Sequence, residues 1–206
     1  MNNYYYIIAS LPELTEDRAS VGKNADAILD EIKSRCTARD NAVIGFLEKG
    51  YAEENLTEEF YTEAVTSGNR FIREWFRFDL AVRNAKVRYL NKALGRDSGK
   101  DVIVPGGDGD IVRKDTWEFE EESRLEQVLG SGDILAREKG IDDLYWAKAD
   151  ELTTFHYFDL TVILGFIVKL KIIDRWMKLD EATGREMFRE LVDEVRGTFA
   201  GVKYAG

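Results

Sequence analysis

Apolar residues recur at three- and four-residue steps along most of this chain, the spacing of one helix face after another. The pattern is strongest between Thr154 and Val195. Phe155, Phe158, Val162, Phe166, Leu170, Ile173 and Met177 mark one stripe, and Leu160, Ile163, Leu164, Ile167, Val168, Ile172 and Trp176 spill onto neighbouring faces. A helix over Phe155–Leu179 is therefore expected to be buried on most of its circumference and to form the centre of an all-α domain. Asp180 is placed to cap a following helix, with Met187, Leu191 and Val195 on one face and a stop at Arg196-Gly197.

Upstream, the same period predicts amphipathic helices over Asn24–Cys36 (Ile28, Leu29, Ile32) and Asp40–Lys49 (Val43, Phe46, Leu47), and a third capped by Thr57 (Phe60, Tyr61, Val65). A long helix is expected from Asn69 to Leu94, with a core stripe of Phe71, Trp75, Phe78, Val82, Tyr89 and Ala93, ending at Gly95. Helix resumes over Trp117–Leu129. A short helix over Ile134–Lys139 and another capped by Asp142 or Asp143 follow it. Tyr4–Leu11, closed by Pro12, is either a short strand or a buried helical turn, because a run this short has no readable period. Its three tyrosines suit packing with their hydroxyls at the surface better than a ligand-stacking platform. Residues 101–113, centred on Pro105-Gly106-Gly107, form a short hairpin or loop.

The organisation expected is a single all-α domain over 1–206, built from helical modules 1–95 and 115–200 joined by a loop, 96–114. The segments Phe78-Asp79-Leu80-Ala81-Val82 and Phe158-Asp159-Leu160-Thr161-Val162 share the pattern FDLxV and suggest two divergent repeats.

Composition narrows the function classes. With 29 Lys+Arg against 39 Asp+Glu the net charge is −10, which speaks against nonspecific nucleic-acid binding. Cys36 is the only cysteine, so no intrachain disulfide forms, as suits a reducing compartment. The N-terminus lacks the basic start and apolar run of a signal peptide. Within this C-terminal helix the longest stretch without a charged side chain, Leu160–Val168, is nine residues, well short of the ~20 that a membrane span needs. A cytoplasmic protein, at most peripheral to the inner face of the membrane, is expected.

Candidate chemistry is sparse. His156 is the only histidine, which leaves no multi-histidine metal site and no nucleophile motif around it. Gly95–Lys100 lacks the spacing and the Ser/Thr of a phosphate loop, and Gly106–Asp110 lacks the acidic spacing of a calcium loop. No catalytic residue, cofactor or metal is assigned. Asp79 lies inside an apolar stretch and so needs a partner, which Arg83 can supply one turn on. Asp159 has no such neighbour, so it either caps a helix or pairs across the two modules. It and His156 are structural polar candidates, and together they form the only conceivable carboxylate-based pair. Arg70, Arg73 and Arg77, three and four apart, form one basic stripe. It is either a docking site for an acidic partner or internally paired with acids such as Glu74.

Tyr4-Tyr5-Tyr6-Ile7-Ile8-Ala9-Ser10-Leu11-Pro12 resembles the opening of a bacterial family of unassigned function. Phe155-His156-Tyr157-Phe158-Asp159-Leu160, Lys169-Leu170, Arg175-Trp176, Leu179-Asp180, Gly184 and Phe188 resemble its C-terminal block. The genes of that family are associated with V/A-type ATPase operons, and the family looks like a divergent relative of the C (d) central-stalk subunit, which joins the stalk to the membrane rotor. The resemblance implies an all-helical, non-catalytic subunit or assembly factor whose partners are stalk or rotor subunits. The chain is much shorter than that three-module subunit. A free-standing helical protein-interaction module is the alternative.

Overall fold

A computed structural model describes residues 4–14, 25–106 and 119–178. All of their regular structure is helical, and no strand occurs among them. Eight α-helices follow in order: α1 (Tyr5–Ser10), α2 (Ala25–Arg35), α3 (Ala38–Lys49), α4 (Glu58–Val65), α5 (Arg70–Ala93), α6 (Glu122–Leu129), α7 (Ile134–Thr153) and α8 (160–178). A 3-10 turn, Glu53–Asn55, joins α3 to α4. The helix expected after Asp180, Trp117 and most of the expected hairpin or loop lie outside the described residues; 102–104 are irregular.

Side chains that accept from free first-turn N–H groups set the helix starts, and each such cap contributes about 1 kcal/mol. Thr37 accepts from Asp40 N at 3.2 Å, Thr57 from Phe60 N at 3.3 Å, and Asn69 from Ile72 N at 3.1 Å. Asp133 accepts from Leu135 N at 2.8 Å and Ala136 N at 3.2 Å.

Three helix boundaries differ from the sequence reading; one is the start of α6, expected at Trp117 and found at Glu122, after the non-helical residues 119–121. Residues 134–153 form one continuous helix, because Asp133 caps it and Gly140 sits against α6 without breaking it. Asp142 is consequently a buried mid-helix residue, not a cap. The apolar C-terminal helix starts at 160, not 155: Asp159 takes the cap position and accepts from Thr161 N at 2.9 Å. Phe155 precedes it with φ at +66° and stands 87% exposed, so the aromatic run 155–158 is a connector that copies the helix period without joining the helix. Tyr4–Leu11 resolves as the helical turn α1. Leu11 is extended before Pro12, as its successor's ring requires.

The main core joins Tyr4 and Ile7, Leu29 and Ile32 of α2, Ile44 and Leu47 of α3, Phe60 and Tyr61 of α4 and the first half of α5. Trp146 of α7 and Ile163, Leu164, Ile167, Val168, Leu170 and Ile173 of α8 complete it. A second cluster packs Phe78, Val82 and Ala85 of α5 against Leu125 and Leu129 of α6 and Ile141 and Leu144 of α7. Tyr145 packs against both. The long helix matches its expected span, but its core stripe stops at Ala85: Tyr89 is 38% and Leu90 57% exposed. Asn84 and Asn91 are the buried polar residues of its second half.

Helices α7 and α8 approach closely at Gly165, where a Cβ would lie 2.3 Å from Thr153 Cγ2. Thr153 cannot easily turn away, because its hydroxyl donates to Ala149 O at 2.9 Å. Gly165→Ala is therefore expected to lower stability by about 1–3 kcal/mol despite its better helix propensity. Gly45 of α3 has nothing within 4 Å of a Cβ, so Gly45→Ala should raise stability by about 0.5–1 kcal/mol. Denaturant midpoints of the two variants should move in opposite directions.

Candidate functional site

Three polar groupings were singled out in the sequence, and the structure gives each a definite geometry. Asp79 is 7% exposed in the middle of α5. A carboxylate so placed must be matched by donors. Its Oδ2 accepts from Tyr61 Oη of α4 at 2.5 Å and from Arg83 Nε one turn on at 2.8 Å. Its Oδ1 accepts from Tyr145 Oη of α7 at 2.8 Å. Arg83 is the partner expected from its spacing; the two tyrosines, 18 and 66 residues away, carry no local signal. Burial first, and then the adjacent Asp79 charge, push both phenols well above the usual tyrosine range. Burial opposes the charge on the Arg83 guanidinium, but the adjacent Asp79 outweighs it and keeps the group charged. Both carboxylate oxygens are occupied by the fold, which makes this a joint between three helices.

Asp159 and His156 also meet, with His156 Nδ1 2.7 Å from Asp159 Oδ2. The histidine N–H of the backbone donates to Thr153 O at 2.9 Å, so the pair closes the turn between α7 and α8. Burial opposes ionisation of Asp159, but the His156 bond and charge and the Thr161 N–H outweigh it and hold the carboxyl below its ordinary value. Around this turn lie exposed rings. Tyr5 sits 5.0 Å from Phe158 and 5.5 Å from Tyr6, and Tyr157 is 6.4 Å from Phe158. Tyr4 N donates to Phe158 O at 2.7 Å, which fixes α1 against the turn. The three tyrosines divide: Tyr4 is buried with its hydroxyl on Asp40, while Tyr5 and Tyr6 face solvent.

The two FDLxV copies take unlike positions. Asp79 is a buried mid-helix residue, and Asp159 is a helix cap.

In the basic stripe, Arg70 is exposed at the start of α5. Glu74 is shared by Arg73 Nε at 3.2 Å and Arg77 Nη1 at 3.5 Å, and Arg73 also donates to Ser67 O at 2.8 Å. Internal pairing thus holds two of the three arginines.

Sequence reasoning missed a second buried acid. Asp142 of α7, 4% exposed, accepts from Arg175 Nη2 at 2.6 Å and from Trp176 Nε1, both on α8. It also missed a groove of ≈230 Å³ between α1 and α2, lined by Ile7, Leu11, Pro12, Ile28 and Ile32, with Glu31 and Arg35 paired at its side. Among the described residues, no group of three or more His, Cys, Asp or Glu could hold a metal ion. No helix among them is long and apolar enough to cross a membrane.

The described chain is thus an all-helical protein in which the conspicuous polar side chains join helices to one another. It belongs to the family "Protein of unknown function (DUF2764)", whose model matches residues 48–198. No curated protein and no solved structure matches it.

Removing the Asp79 carboxylate leaves two buried phenols and a guanidinium without their acceptor. Asp79→Ala is expected to cost about 3–5 kcal/mol in urea unfolding. Tyr145→Phe should cost about 1–2 kcal/mol. Because the folded-state phenols are raised above the unfolded value of 10.0, their contribution is complete below pH 10 and is lost as pH rises beyond it. Wild-type stability should therefore fall above pH 10 more steeply than that of Tyr145→Phe, by about 1.4 kcal/mol per pH unit. Equal slopes would show that Tyr145 does not keep its proton in the folded state.

Proposed function

We propose that this chain is a non-catalytic subunit or assembly factor of a bacterial V/A-type ATPase. In this reading it acts on the cytoplasmic side, near the position of the C (d) subunit between central stalk and membrane rotor. The sequence resemblance of the Tyr4–Pro12 and Phe155–Phe188 blocks suggests the complex. One structural observation carries the non-catalytic part of the reading. Asp79 and Asp159 have both carboxylate oxygens engaged with neighbouring helices or turns, and Asp142 has its Oδ2 held by two donors of α8. Such a scaffold acts through its surfaces. The stripe at the start of α5 supplies one such surface: Arg70, Arg73 and Arg77 set three cations against one acid, Glu74, on a chain of net charge −10. Complementary charge of this kind chiefly sets encounter rate and register with an acidic partner.

A free-standing helical interaction module is the second reading. The exposed ring corner of Tyr5, Tyr6, Phe155, Tyr157 and Phe158 favours it, because solvent-facing aromatics grouped in this way suit a partner surface of any origin.

Affinity purification of the tagged chain from its native cell, with identification of what accompanies it, tests the first reading. Rotary-ATPase subunits should co-purify, and their absence overturns it. Arg70→Glu alone, which leaves the Glu74 pairs intact, should weaken that co-purification about three- to tenfold with the melting temperature unchanged. Unchanged recovery removes the stripe from the interface.

A further inference from the structure

The second half of α5 has no evident purpose in the core. Beyond Ala85 its only fully buried side chain is Asn91. The other faces carry Lys86, Arg88, Tyr89, Leu90, Lys92 and Leu94, with Leu90 57% and Leu94 53% exposed. Spacing arranges these residues: Lys86, Leu90 and Leu94 fall four apart on one stripe, and Arg88 and Lys92 on another, with Tyr89 between.

The chain then turns at Gly95, φ +65°, and folds back along the helix. Two asparagine amides hold it there. Asn91 Nδ2 donates to Lys100 O at 2.7 Å; Asn84 donates to Ile103 O at 2.9 Å and accepts from Ile103 N at 3.0 Å. This fixed return adds Arg96, Lys100 and the exposed Val104 to the same end of the molecule.

From Lys86 to Asp101 five cations stand against two acids, in a chain whose net charge is −10. None of the five cations has an ion-pair partner among the described residues. Asp97, exposed on the loop, accepts from Gly99 N at 2.7 Å.

From this placement we infer that the end of α5 and its return loop bind an anionic phospholipid surface. Unpaired lysines and arginines are drawn to acidic headgroups, and their long stems let the charge reach the headgroup level while leucine and tyrosine side chains enter the interface. The combination matters. Phosphate neutralisation on a nucleic acid needs the cations but gives Leu90 and Leu94 no role. The acidic remainder of the chain would be held away from the membrane, so the same charges that attract this end also orient the molecule. The inference stands apart from the ATPase assignment, because it concerns the purified chain and lipid alone.

The test is co-sedimentation of the full chain with phosphatidylcholine vesicles, with and without phosphatidylglycerol. Binding should require phosphatidylglycerol and should fall with added salt. The triple variant Lys86→Glu, Arg88→Glu, Lys92→Glu should lose about a hundredfold in partition, at about fivefold per cation removed. Leu90→Ser with Leu94→Ser should lose about tenfold. Arg96→Glu with Lys100→Glu, in the loop, serves as the second charge variant should the triple variant fail to fold. Absence of binding to the acidic vesicles overturns the inference, as does binding that either charge variant leaves intact. Tighter binding to polyglutamate or duplex DNA than to vesicles, insensitive to the leucine changes, identifies a general polyanion site and overturns it too. A fall in melting temperature in both charge variants assigns the cations to acidic groups of the same chain, which is a further overturning result.

Discussion

One buried negative charge organises the middle of this molecule. Asp79 sits where water cannot solvate it, so its donors must come from the protein. They come from three helices: Tyr61 on α4, Arg83 on α5 itself and Tyr145 on α7. A carboxylate accepts well only over a short range of distance and angle. Meeting three donors at once therefore restricts how α4 and α7 can lie against α5, more tightly than apolar contact does. The charge also lies on the seam of the core. Its neighbour Phe78 belongs to the second cluster, and the Tyr145 ring touches both clusters, meeting Phe78 edge-on at 5.4 Å and Trp75 at 5.5 Å. The polar joint and the apolar joint are the same residues.

Helix α7 extends this logic to α8. Asp142 stands three residues before Tyr145, so one helix offers an acid to α8 and a phenol to α5. Arg175 and Trp176, adjacent in sequence, both converge on Asp142. At the opposite end of α8, Gly165 lets the backbones of α7 and α8 close to a distance that a methyl group would prevent. The pairing of the two helices is thus set by one polar contact and one missing side chain, with Ile163, Leu164 and Ile167 filling the space between.

Helix period was enough to read most of the architecture. The spans of α2, α3, α4 and α5 follow from apolar spacing, and the start of α4 from its cap Thr57, because those signals act within a few residues. Two errors show where such reasoning stops. Phe155 and Phe158 fall on the helical period of α8 yet lie outside it, because Asp159 gains more by accepting from the Thr161 N–H than it could inside a helix. The helix expected to end at Lys139 runs on through Gly140, which is a packing contact, its Cβ position only 2.8 Å from Val128. Of the candidate polar residues, the Asp79–Arg83 pair was legible because it spans one helical turn. The tyrosines on Asp79, and the Arg175 and Trp176 contacts to Asp142, depend on tertiary placement over 18 to 66 residues, for which a single sequence carries no local pattern.

The asparagines of α5 mark the boundary between two uses of one helix. At 24 residues, α5 is about 36 Å long, and its aromatic half is covered by helices on several sides. From Asn84 onward the covering element is irregular backbone, whose N–H and C=O groups need partners that an apolar helix face cannot offer. Side-chain amides supply both a donor and an acceptor, and Asn84 uses both on the single residue Ile103. Placed seven residues apart, Asn84 and Asn91 face the same way and hold the return segment along two turns of helix. At its far end, Gly106 N donates to Thr62 Oγ1 of α4 at 2.9 Å, which ties the segment to the main core. The loop is thus fastened at both ends. The cations and leucines around it are carried on a fixed frame, although few of them touch the core themselves.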